Sequence, residues 1–441
     1  MSTKTIAASV LAMALGACAV PARDSGGFCA ADRPTRPQGA PSPTWHRDVA
    51  PIVEAFCVRC HREGGLAGDS FESYLRVFAA RESVARSVRA RTMPPYLAAP
   101  CCARYRHSWG LSDEQIATVL DWVDAGAPEG SPMDRGARIE PPTAGLSRRD
   151  VSLSVTEPYA PTPPRGSTDD VRCFVLDWPG TARTFVTGLE IESADRSLLH
   201  HVIVASVSGE DADRVARLDR DEAGAGFSCN DGAGSLRGVT MLGGGLIGGD
   251  FPEGIGIAVE PRSKIILNIH YSTVAARPGA VDRPSVHFRT DANARPAEPL
   301  ALTNPAWLIG DAMRVRAGDR DATFFYRYRP RVSTRGRTMF LRSVTPHMHT
   351  FGSRLTVRVL RANGERACVL EIPRWRFGWE QVYWLEESIR LDPDDELYLE
   401  CHFDNSADNQ PVPGAAPRDF TFGGNSQDMC AAFLSMTEAA R

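Results

Sequence analysis

The stretch Leu198-Leu199-His200-His201-Val202-Ile203-Val204 shows a pattern that recurs through the last two thirds of the chain. It is short, apolar and rich in β-branched side chains. Similar runs at Ser263–Thr273, Thr338–Val344 and Leu355–Leu360 are separated by Gly, Pro, Asn and Asp, which is typical of antiparallel strands. Ala362-Asn363-Gly364-Glu365 predicts a tight hairpin, because Asn-Gly accepts the positive φ of that turn. We therefore predict a β-rich body.

In the residues before this body, the apolar side chains recur at a different spacing, that of a helix. The segment from Trp45 to about Pro128 predicts helices, with apolar residues at helical spacing in Ser70–Arg91 and in Ser112–Ala125. Ser112 with Gln115 three residues later is a capping-box pattern, which marks a helix N-terminus. A Pro-, Gly- and Ser-rich linker follows at residues 131–164.

Composition bounds the class of protein. The chain has 441 residues, 43% hydrophobic and 24% charged, and a formal net charge of −4, so it is ordinary globular material for two or three domains. Lysine is nearly absent, with Lys4 and Lys264 alone, and arginines are scattered among acidic residues. We therefore expect no nucleic-acid partner.

The first 18 residues predict export. Lys4 precedes an apolar run from Ile6 to Leu15, which is too short to span a bilayer. Leu15-Gly16-Ala17-Cys18 resembles a lipobox, in which Cys18 becomes the acylated amino terminus; the alternative is an ordinary cleavage site that discards Cys18. The 11 cysteines fit an oxidising compartment. We expect a periplasmic protein, lipid-anchored to the outer membrane and in contact with the membrane only through that anchor.

Cys57-Val58-Arg59-Cys60-His61 is the C-x-x-C-H pattern of haem c attachment. Two thiols at this spacing form thioethers with the porphyrin, and the adjacent imidazole ligates the iron, so we predict one covalent haem c. Met93, in a proline-stiffened loop, is the expected sixth ligand, with His107 or Met133 as alternatives. The segment resembles class I cytochrome c modules.

Five further histidines fall in three short motifs. His200 and His201 lie inside an apolar strand, where imidazoles are costly unless they bind something. Neighbours on a regular strand face opposite ways, so joint ligation needs a strand end, a bulge or different ring nitrogens. His270 lies in a second strand. His347 and His349, two residues apart, face the same side of a strand and predict a metal site.

A methionine ligand would favour copper at the His-x-His motif, because a thioether is a soft ligand. The sequence offers Met429, in Asp428-Met429-Cys430.

The order of these motifs resembles that of the copper type II, ascorbate-dependent monooxygenases, the family of peptidylglycine α-hydroxylating and dopamine β-monooxygenases. The resemblance covers roughly residues 151–441. It implies two jelly-roll-like β-sandwiches, each holding one mononuclear copper. The resemblance also implies that one copper transfers electrons and that the other, catalytic copper binds oxygen. By their match to the family's motifs, the ligands of the electron-transfer copper would be His200, His201 and His270. Those of the oxygen-binding copper would be His347, His349 and Met429.

The same resemblance implies a disulfide between Cys401 and Cys430, next to the methionine ligand. Cys173 with Cys229 is a plausible second pair. The pairing of the remaining cysteines stays open at this stage; they are Cys29, Cys101, Cys102 and Cys368.

The expected fold class is therefore multidomain, with a small all-α cytochrome c domain followed by two antiparallel β-sandwich domains. A Pro- and Ala-rich boundary near Arg283–Pro299 separates the sandwiches. The expected division is residues 1–18, a lipoprotein-type signal peptide; 43–130, the cytochrome c domain; 131–164, the linker; 165–285, the N-terminal copper β-sandwich; and 286–441, the C-terminal copper β-sandwich.

The expected function is hydroxylation of a substrate C–H bond with O2, with the haem supplying electrons to the coppers. An external donor, ascorbate or a periplasmic redox protein, is required. In the peptide hydroxylases, side chains at three positions near the oxygen-binding copper bind the carboxylate of the peptide substrate. In this chain those positions are occupied by Thr345, Ala431 and Phe433. A less polar small-molecule or peptide-like substrate is therefore favoured. The alternatives are a non-catalytic copper and haem electron-transfer protein and another periplasmic copper redox enzyme.

Several other residues that resemble site residues are interpreted as structural. His287 and His402 lie in or beside strands without a partner motif. Trp375, Trp379 and Trp384 form an aromatic-rich stretch that is typical of core packing.

Overall fold

The computed structural model describes residues 35–37, 39–140, 145–164, 168–229, 240–245, 248–412, 414–423 and 427–438. Strands dominate, and the described residues contain four α-helices. The α-helices are α1 Ala50–Phe56, α2 Tyr74–Arg89, α3 Asp113–Asp124 and α4 Gly209–Asp221. Shorter helical turns of other kinds cover Trp45–Val49, Pro132–Asp134, Pro305–Leu308, Phe377–Trp379 and Ala407–Asn409.

The strands are β1 Val151–Ser154, β2 Asp169–Asp177, β3 Thr184–Glu192, β4 Leu199–Val207, β5 Phe227–Ser228, β6 Thr240–Gly245, β7 Gly249–Asp250, β8 Ile255–Val259, β9 Lys264–Ser272, β10 Ser285–Asp291, β11 Arg295–Pro296, β12 Glu298–Leu302, β13 Ala322–Tyr328, β14 Met339–His347, β15 Gly352–Leu360, β16 Arg366–Ile372, β17 Tyr383–Leu391, β18 Glu396–Phe403 and β19 Ala431–Glu438. The predicted strands near residues 198, 263, 338 and 355 are confirmed as β4, β9, β14 and β15. Gly364 has a φ of 90° in the predicted hairpin turn between β15 and β16.

The strands form four sheets. A six-stranded sheet has the order β1-β10-β3-β8-β11, with β7 also paired to β3, and a five-stranded sheet has the order β5-β2-β9-β4-β6. Two four-stranded sheets have the orders β12-β19-β14-β17 and β13-β18-β15-β16. All pairings are antiparallel except that of β11 with β8. Strand β1 lies within the predicted linker and pairs with β10.

Each pair of sheets shares a hydrophobic core. Val186 and Val286 of the six-stranded sheet pack in one cluster with Val202 and Leu267 of the five-stranded sheet. The two four-stranded sheets contribute to a second cluster through alternate, inward-facing residues of β14, β15, β18 and β19. Burial of apolar area of this kind is the main stabilising term of the fold.

A third cluster holds the N-terminal helices together. Trp45 and Val49 pack against Val77 of α2 and against Trp122 of α3. The predicted capping box is confirmed, because the hydroxyl of Ser112 accepts from the N–H of Gln115 while the Gln115 side chain accepts from the Ser112 N–H.

The segment between α2 and α3 packs against the two four-stranded sheets of the C-terminal part of the chain. Tyr105 forms a bridge with Leu385, is buried in the second core, and donates its hydroxyl proton to the carbonyl of Val369 at 2.8 Å. A disulfide joins Cys102 to Cys368, a pairing that the sequence left open. The helices are therefore tied to the sheets by hydrogen bonds, apolar contacts and a covalent bond.

The predicted fold class is wrong. The described residues show four sheets with four α-helices, and the helical segment is not a separate small all-α cytochrome c domain. The physical reason is that the residues near Tyr105, between α2 and α3, bury their side chains in the C-terminal core, so the helices are attached to the sheets although they also pack on one another. Sequence periodicity reports helices but not the surface on which they pack.

The predicted signal peptide and Cys18 lie outside the described residues, as does Cys29. Among the residues that the structure describes, no helix is long and apolar enough to cross a membrane.

Removal of the Cys102–Cys368 disulfide tests the attachment of the helical segment. In the double variant Cys102→Ala and Cys368→Ala, we expect the free energy of unfolding to fall by about 2–5 kcal/mol, since the bridge restricts the unfolded chain. Urea unfolding followed by tryptophan fluorescence measures the change. The variant Ser147→Ala, at an exposed serine, serves as a control that stays within about 0.5 kcal/mol of wild type; an equally stable double variant would contradict the attachment.

Candidate metal centres

Three histidines meet on two neighbouring strands of the five-stranded sheet. Strand β4 pairs with β9 so that His201 lies opposite His270, and the register shifts between Leu199 and His201. This bulge takes His200 out of the regular alternation, so that it reaches the same side as its neighbour. The sequence anticipated a bulge as one possibility, and the structure forms it.

The three imidazoles are close enough to share one ion. One ring nitrogen from each of His200, His201 and His270 lies within 4.8 Å of the others. The ring centroids are 4.8 Å apart for His200 and His270 and 5.0 Å apart for His201 and His270. In the part of the chain that the structure describes, no other set of three His, Cys, Asp or Glu residues meets this condition.

Hydrogen bonds orient two of these rings. Nδ1 of His201 lies 2.8 Å from the carbonyl oxygen of Gly378, and Nε2 of His270 lies 3.0 Å from Oδ1 of Asp169. Each contact places a proton on the bonded nitrogen and leaves the lone pair of the other nitrogen available. Nδ1 of His270 is buried without a hydrogen-bond partner. A buried unpaired nitrogen is costly, and a metal ion is the group that would satisfy it.

The electrostatics favour neutral rings. Burial, helped by the nearby His270, lowers the pKa of His200 to about 4, although Asp169 and Gly378 oppose the shift. Burial and the other two histidines hold the pKa of His201 well below its ordinary value. These two imidazoles are therefore uncharged at neutral pH, the form that binds copper or zinc. A transition metal fits this site.

The second histidine group lies at one end of β14. His347 ends that strand, His349 follows in the turn before β15, and their ring centroids are 5.0 Å apart. Nδ1 of His347 lies 2.7 Å from Oε1 of Glu380, and Nδ1 of His349 lies 3.1 Å from the carbonyl oxygen of Gln427. Both rings therefore have Nε2 free of these contacts. The two rings are close, as predicted, but only His347 lies on the strand, because β14 ends before His349, and the rings meet edge to face.

The register of β14 with β19 brings Met429 to the same end. His347 lies opposite Ala431 in this pair, so Met429, two residues earlier, lies on the continuation of β19 beside His349. Asp428 joins the two segments, because its carboxylate accepts N–H bonds from His349 at 2.6 Å and from Met429 at 2.7 Å. The structure thus brings the three predicted ligands into one region.

Asp428 is fully buried and also accepts N–H bonds from Phe351 at 2.8 Å and Gly352 at 3.2 Å. Burial raises the pKa of Asp428 to about 7, against the opposing effect of these N–H donors. The predicted disulfide Cys401–Cys430 is formed and holds the residue after Met429 to β18. Cys173–Cys229 is also formed.

The two histidines of this group differ in charge preference. Burial alone would lower the pKa of His347, but the adjacent Glu380 carboxylate, with a smaller contribution from Asp428, outweighs it and raises the pKa. Burial and the neighbouring His347 lower the pKa of His349 to about 4. Glu380 itself is buried, so it interacts with His347 in a medium of low dielectric constant.

The C-x-x-C-H motif lines a cavity of about 390 Å³, within the usual range for small-molecule pockets. Cys57, Cys60, His61 and Met93 all line it, together with apolar residues of α2. Cys57 and Cys60 are not joined by a disulfide, so both sulfurs are available for thioethers.

Two contacts fix the ring of His61. Its Nδ1 lies 2.6 Å from Oδ1 of Asp69, and the ring stacks on Phe71 at 4.2 Å. Neither alternative sixth ligand lines the cavity of the motif: His107 lines a different, smaller cavity, and the side chain of Met133 is exposed. The donor set and the apolar lining fit a haem c, with Met93 on the same cavity as His61.

The haem-motif cavity, defined by these lining residues, reaches the first histidine group. His200, Ser272 of β9 and Trp379 also line it. The C-x-x-C-H motif and the three-histidine group are therefore neighbours in space, although about 140 residues separate them in the chain.

Sequence reasoning missed three residues that support the sites. Glu380, Asp428 and the carbonyl of Gly378 have no spacing relation to the histidines that they contact. Asp428 could have been noticed because it precedes Met429 directly; the other two come close only through folding. The two histidines interpreted as structural have polar partners, His287 with Ser152 and His402 with Asp321.

The three-histidine group predicts one tight transition-metal site. In apo-protein we expect His270→Ala to reduce the number of tight Cu²⁺ sites by one. The affinity lost at that site should exceed roughly 100-fold, the upper end of the loss when a residue that only orients a ligand is replaced. Isothermal titration calorimetry measures this number. His287→Ala, which removes another buried strand histidine, is the matched control; unchanged binding in His270→Ala would rule out the site.

The Glu380 contact predicts a shifted titration of His347. Replacing Glu380 by Gln removes the negative charge that favours the imidazolium, so the pKa of His347 should fall below its wild-type value. NMR titration of the imidazole resonances in apo-protein measures it. Glu387→Gln, at an exposed glutamate of β17, should leave this pKa unchanged, and an unshifted His347 in Glu380→Gln would show that the contact is absent in solution.

No protein-family model matches the chain, and no curated protein matches it. Among solved structures, the chain is similar to the major capsid protein P2 from bacteriophage PM2, with 9% identity over 66% of this chain and 98% of that chain and a TM-score of 0.25. The VP2 subviral particle of infectious bursal disease virus is similar with 9% identity over 66% of this chain and 73% of that chain, at a TM-score of 0.18. Likenesses at these TM-scores say nothing about what the chain does.

Proposed function

We propose that this chain is an exported monooxygenase that carries one covalent haem c and two mononuclear coppers and hydroxylates a substrate C–H bond with O2. The observation that carries the proposal is the shared cavity: the C-x-x-C-H motif and His200 line the same space. A separate pair of histidines lies beside Met429, as in the family that the sequence resembles.

The residues of each centre have distinct tasks. When bound, the haem and the first copper would supply one-electron transfer, and the second copper would supply O2 activation. His200, His201 and His270 would hold the first copper. The carbonyl of Gly378 and the carboxylate of Asp169 keep two of these rings in the tautomer that leaves a nitrogen free.

The second copper would be held by His347, His349 and Met429. Glu380 accepts the Nδ1 proton of His347 and so orients the other nitrogen toward the site. Asp428 holds the backbone of His349 next to that of Met429. Pre-positioned ligands lower the ordering cost of metal binding.

The haem would be attached through Cys57 and Cys60, with His61 and Met93 as its axial ligands. Asp69 accepts the Nδ1 proton of His61 and leaves Nε2 for iron. Burial raises the pKa of Cys57 to about 12, so this thiol is a poor nucleophile on its own.

The substrate is expected to be apolar near the second copper site. The ring of Phe433 lies 6.2 Å from that of His347, and Thr345 pairs with Phe433 across the strands. Neither side chain carries the positive charge that a carboxylate would need. A small-molecule or peptide-like substrate with an apolar C–H donor fits better than a peptide carboxylate.

Reducing electrons would come from ascorbate or a periplasmic redox protein. We place the protein in the periplasm, with Cys18 as a lipid anchor to the outer membrane, and assign it no nucleic-acid partner.

A specific observation favours a second candidate, a non-catalytic copper and haem electron-transfer protein. The ring of Phe377 lies 6.0 Å from that of His270 and 5.8 Å from that of His349. A protein ring between the two histidine groups suits transfer of electrons between them, whereas a hydroxylase also needs room for substrate.

Metal content and oxygen uptake distinguish the two. We expect the purified holoprotein to contain one iron and two coppers per chain, with the electron spin resonance of separate mononuclear Cu²⁺ ions. With ascorbate, O2 consumption should rise when an apolar substrate from a small panel is added. His349→Ala should abolish this rise, because it removes a ligand at the O2 site, whereas His402→Ala should retain it. Full metal loading without substrate-dependent O2 uptake would favour the electron-transfer protein.

A further inference from the structure

Four consecutive residues, Phe377-Gly378-Trp379-Glu380, contact both histidine groups. Phe377 packs between His270 and His349, and Gly378 and Glu380 each accept a hydrogen bond from an imidazole, as described above. We call residues 377–380 the bridging turn. It lies between β16 and β17 in the chain, but it also contacts His200 and His201 of β4.

Trp379 lies at the point where the bridging turn meets the haem-motif cavity. Its ring centroid is 4.3 Å from that of His200, and it lines the same cavity as His61. The ring of Trp109, a buried residue that lines the same cavity, lies 6.4 Å from that of Trp379. Trp379 therefore contacts a predicted copper ligand and faces the predicted haem at the same time.

Gly378 makes this approach possible. A Cβ built on Gly378 would lie 2.7 Å from Cε1 of His200, closer than side-chain atoms approach each other. Any larger residue would force the turn and the His200 ring apart, by movement of one or the other. The chain thus keeps the turn and His200 in direct contact at a position where only glycine fits.

The other two tryptophans of this stretch behave differently. Trp375 is buried in the core of the four-stranded sheets, and Trp384 is buried in the core of the six- and five-stranded sheets. Trp379 is only half-buried and is part of neither core. The expectation that all three pack a core therefore describes Trp375 and Trp384 but not Trp379.

We propose that Trp379 is a positioning residue: it packs on the ring of His200, which itself lines the haem-motif cavity, and it holds this imidazole on the path of electrons from that cavity to the three-histidine site. The inference rests on the proposed function, because it needs a haem at Cys57, Cys60 and His61 and a copper at the three histidines. With both groups bound, one electron would pass from the ferrous haem held by Cys57, Cys60 and His61 to Cu²⁺ held by the three histidines, so that the iron would become ferric and the copper Cu⁺. No bond is formed or broken and no proton is transferred, so the step requires only close packing along the path.

Trp379→Leu tests the path in the holoprotein. A laser-flash photoreductant reduces the haem under anaerobic conditions, and absorbance follows its reoxidation by Cu²⁺. We expect reoxidation to slow by about tenfold or more, as misplacement of reacting groups by about an ångström costs up to about 100-fold in rate. The copper content and the Cu²⁺ spin-resonance signal should stay at wild-type levels, because Trp379 supplies no ligand.

Further variants guard against a misfolded protein. Trp379→Phe keeps an aromatic ring and should recover most of the rate, whereas Gly378→Ala should slow it by forcing the turn away from His200. Trp307→Phe is the control, since Trp307 also lies on a short helical turn but packs in the C-terminal core. If Trp379→Leu binds copper and reoxidises its haem at the wild-type rate, the inference is overturned but the proposed function is not. If the wild-type protein lacks haem or copper, or shows no electron transfer between them, the proposed function is overturned as well.

Discussion

The pairing of β4 with β9 is the constraint on which the candidate sites depend. Backbone hydrogen bonds fix the two strands so that His201 lies opposite His270, and the bulge at His200 turns a third imidazole to the same side. On a regular strand His200 would face the other way, and the three rings could not share an ion. The bulge also places His200 on the wall of the haem-motif cavity, so one irregularity of the backbone serves two neighbouring centres.

Buried polar groups around the histidines support this arrangement. A carboxylate that is removed from water is costly unless hydrogen bonds compensate for its charge. At Asp428 backbone N–H groups offset part of this cost, although burial still raises its pKa to about 7, and at Glu380 the imidazole of His347 does so. Such groups hold their partners in a single geometry, because any displacement leaves a buried polar group unpaired. The rings are therefore pre-oriented by the protein itself, which is the property expected of a metal site.

The parts of the chain are more interdependent than independent domains would be. The bridging turn reaches from the C-terminal half to the histidines of β4, and the segment around Tyr105 packs in the C-terminal core, with the Cys102–Cys368 disulfide beside it. Each candidate centre thus takes supporting residues from distant parts of the sequence. This interdependence explains why the expectation of a separate all-α domain is wrong: the helices are predicted correctly, but the segment between α2 and α3 packs in the C-terminal core.

The sequence by itself determined the local features. The capping box at Ser112 and the strand positions follow from periods of 3.6 and 2 that a few neighbouring residues encode. His347 and His349 are close because they are only two residues apart. Only the tertiary structure decided what surrounds the histidines. The carbonyl that orients His201 comes from a residue 177 positions away, and Trp379 meets His200 because two sheets and a helical segment pack together. Contacts of this range depend on how complete surfaces fit, and no local spacing records that fit.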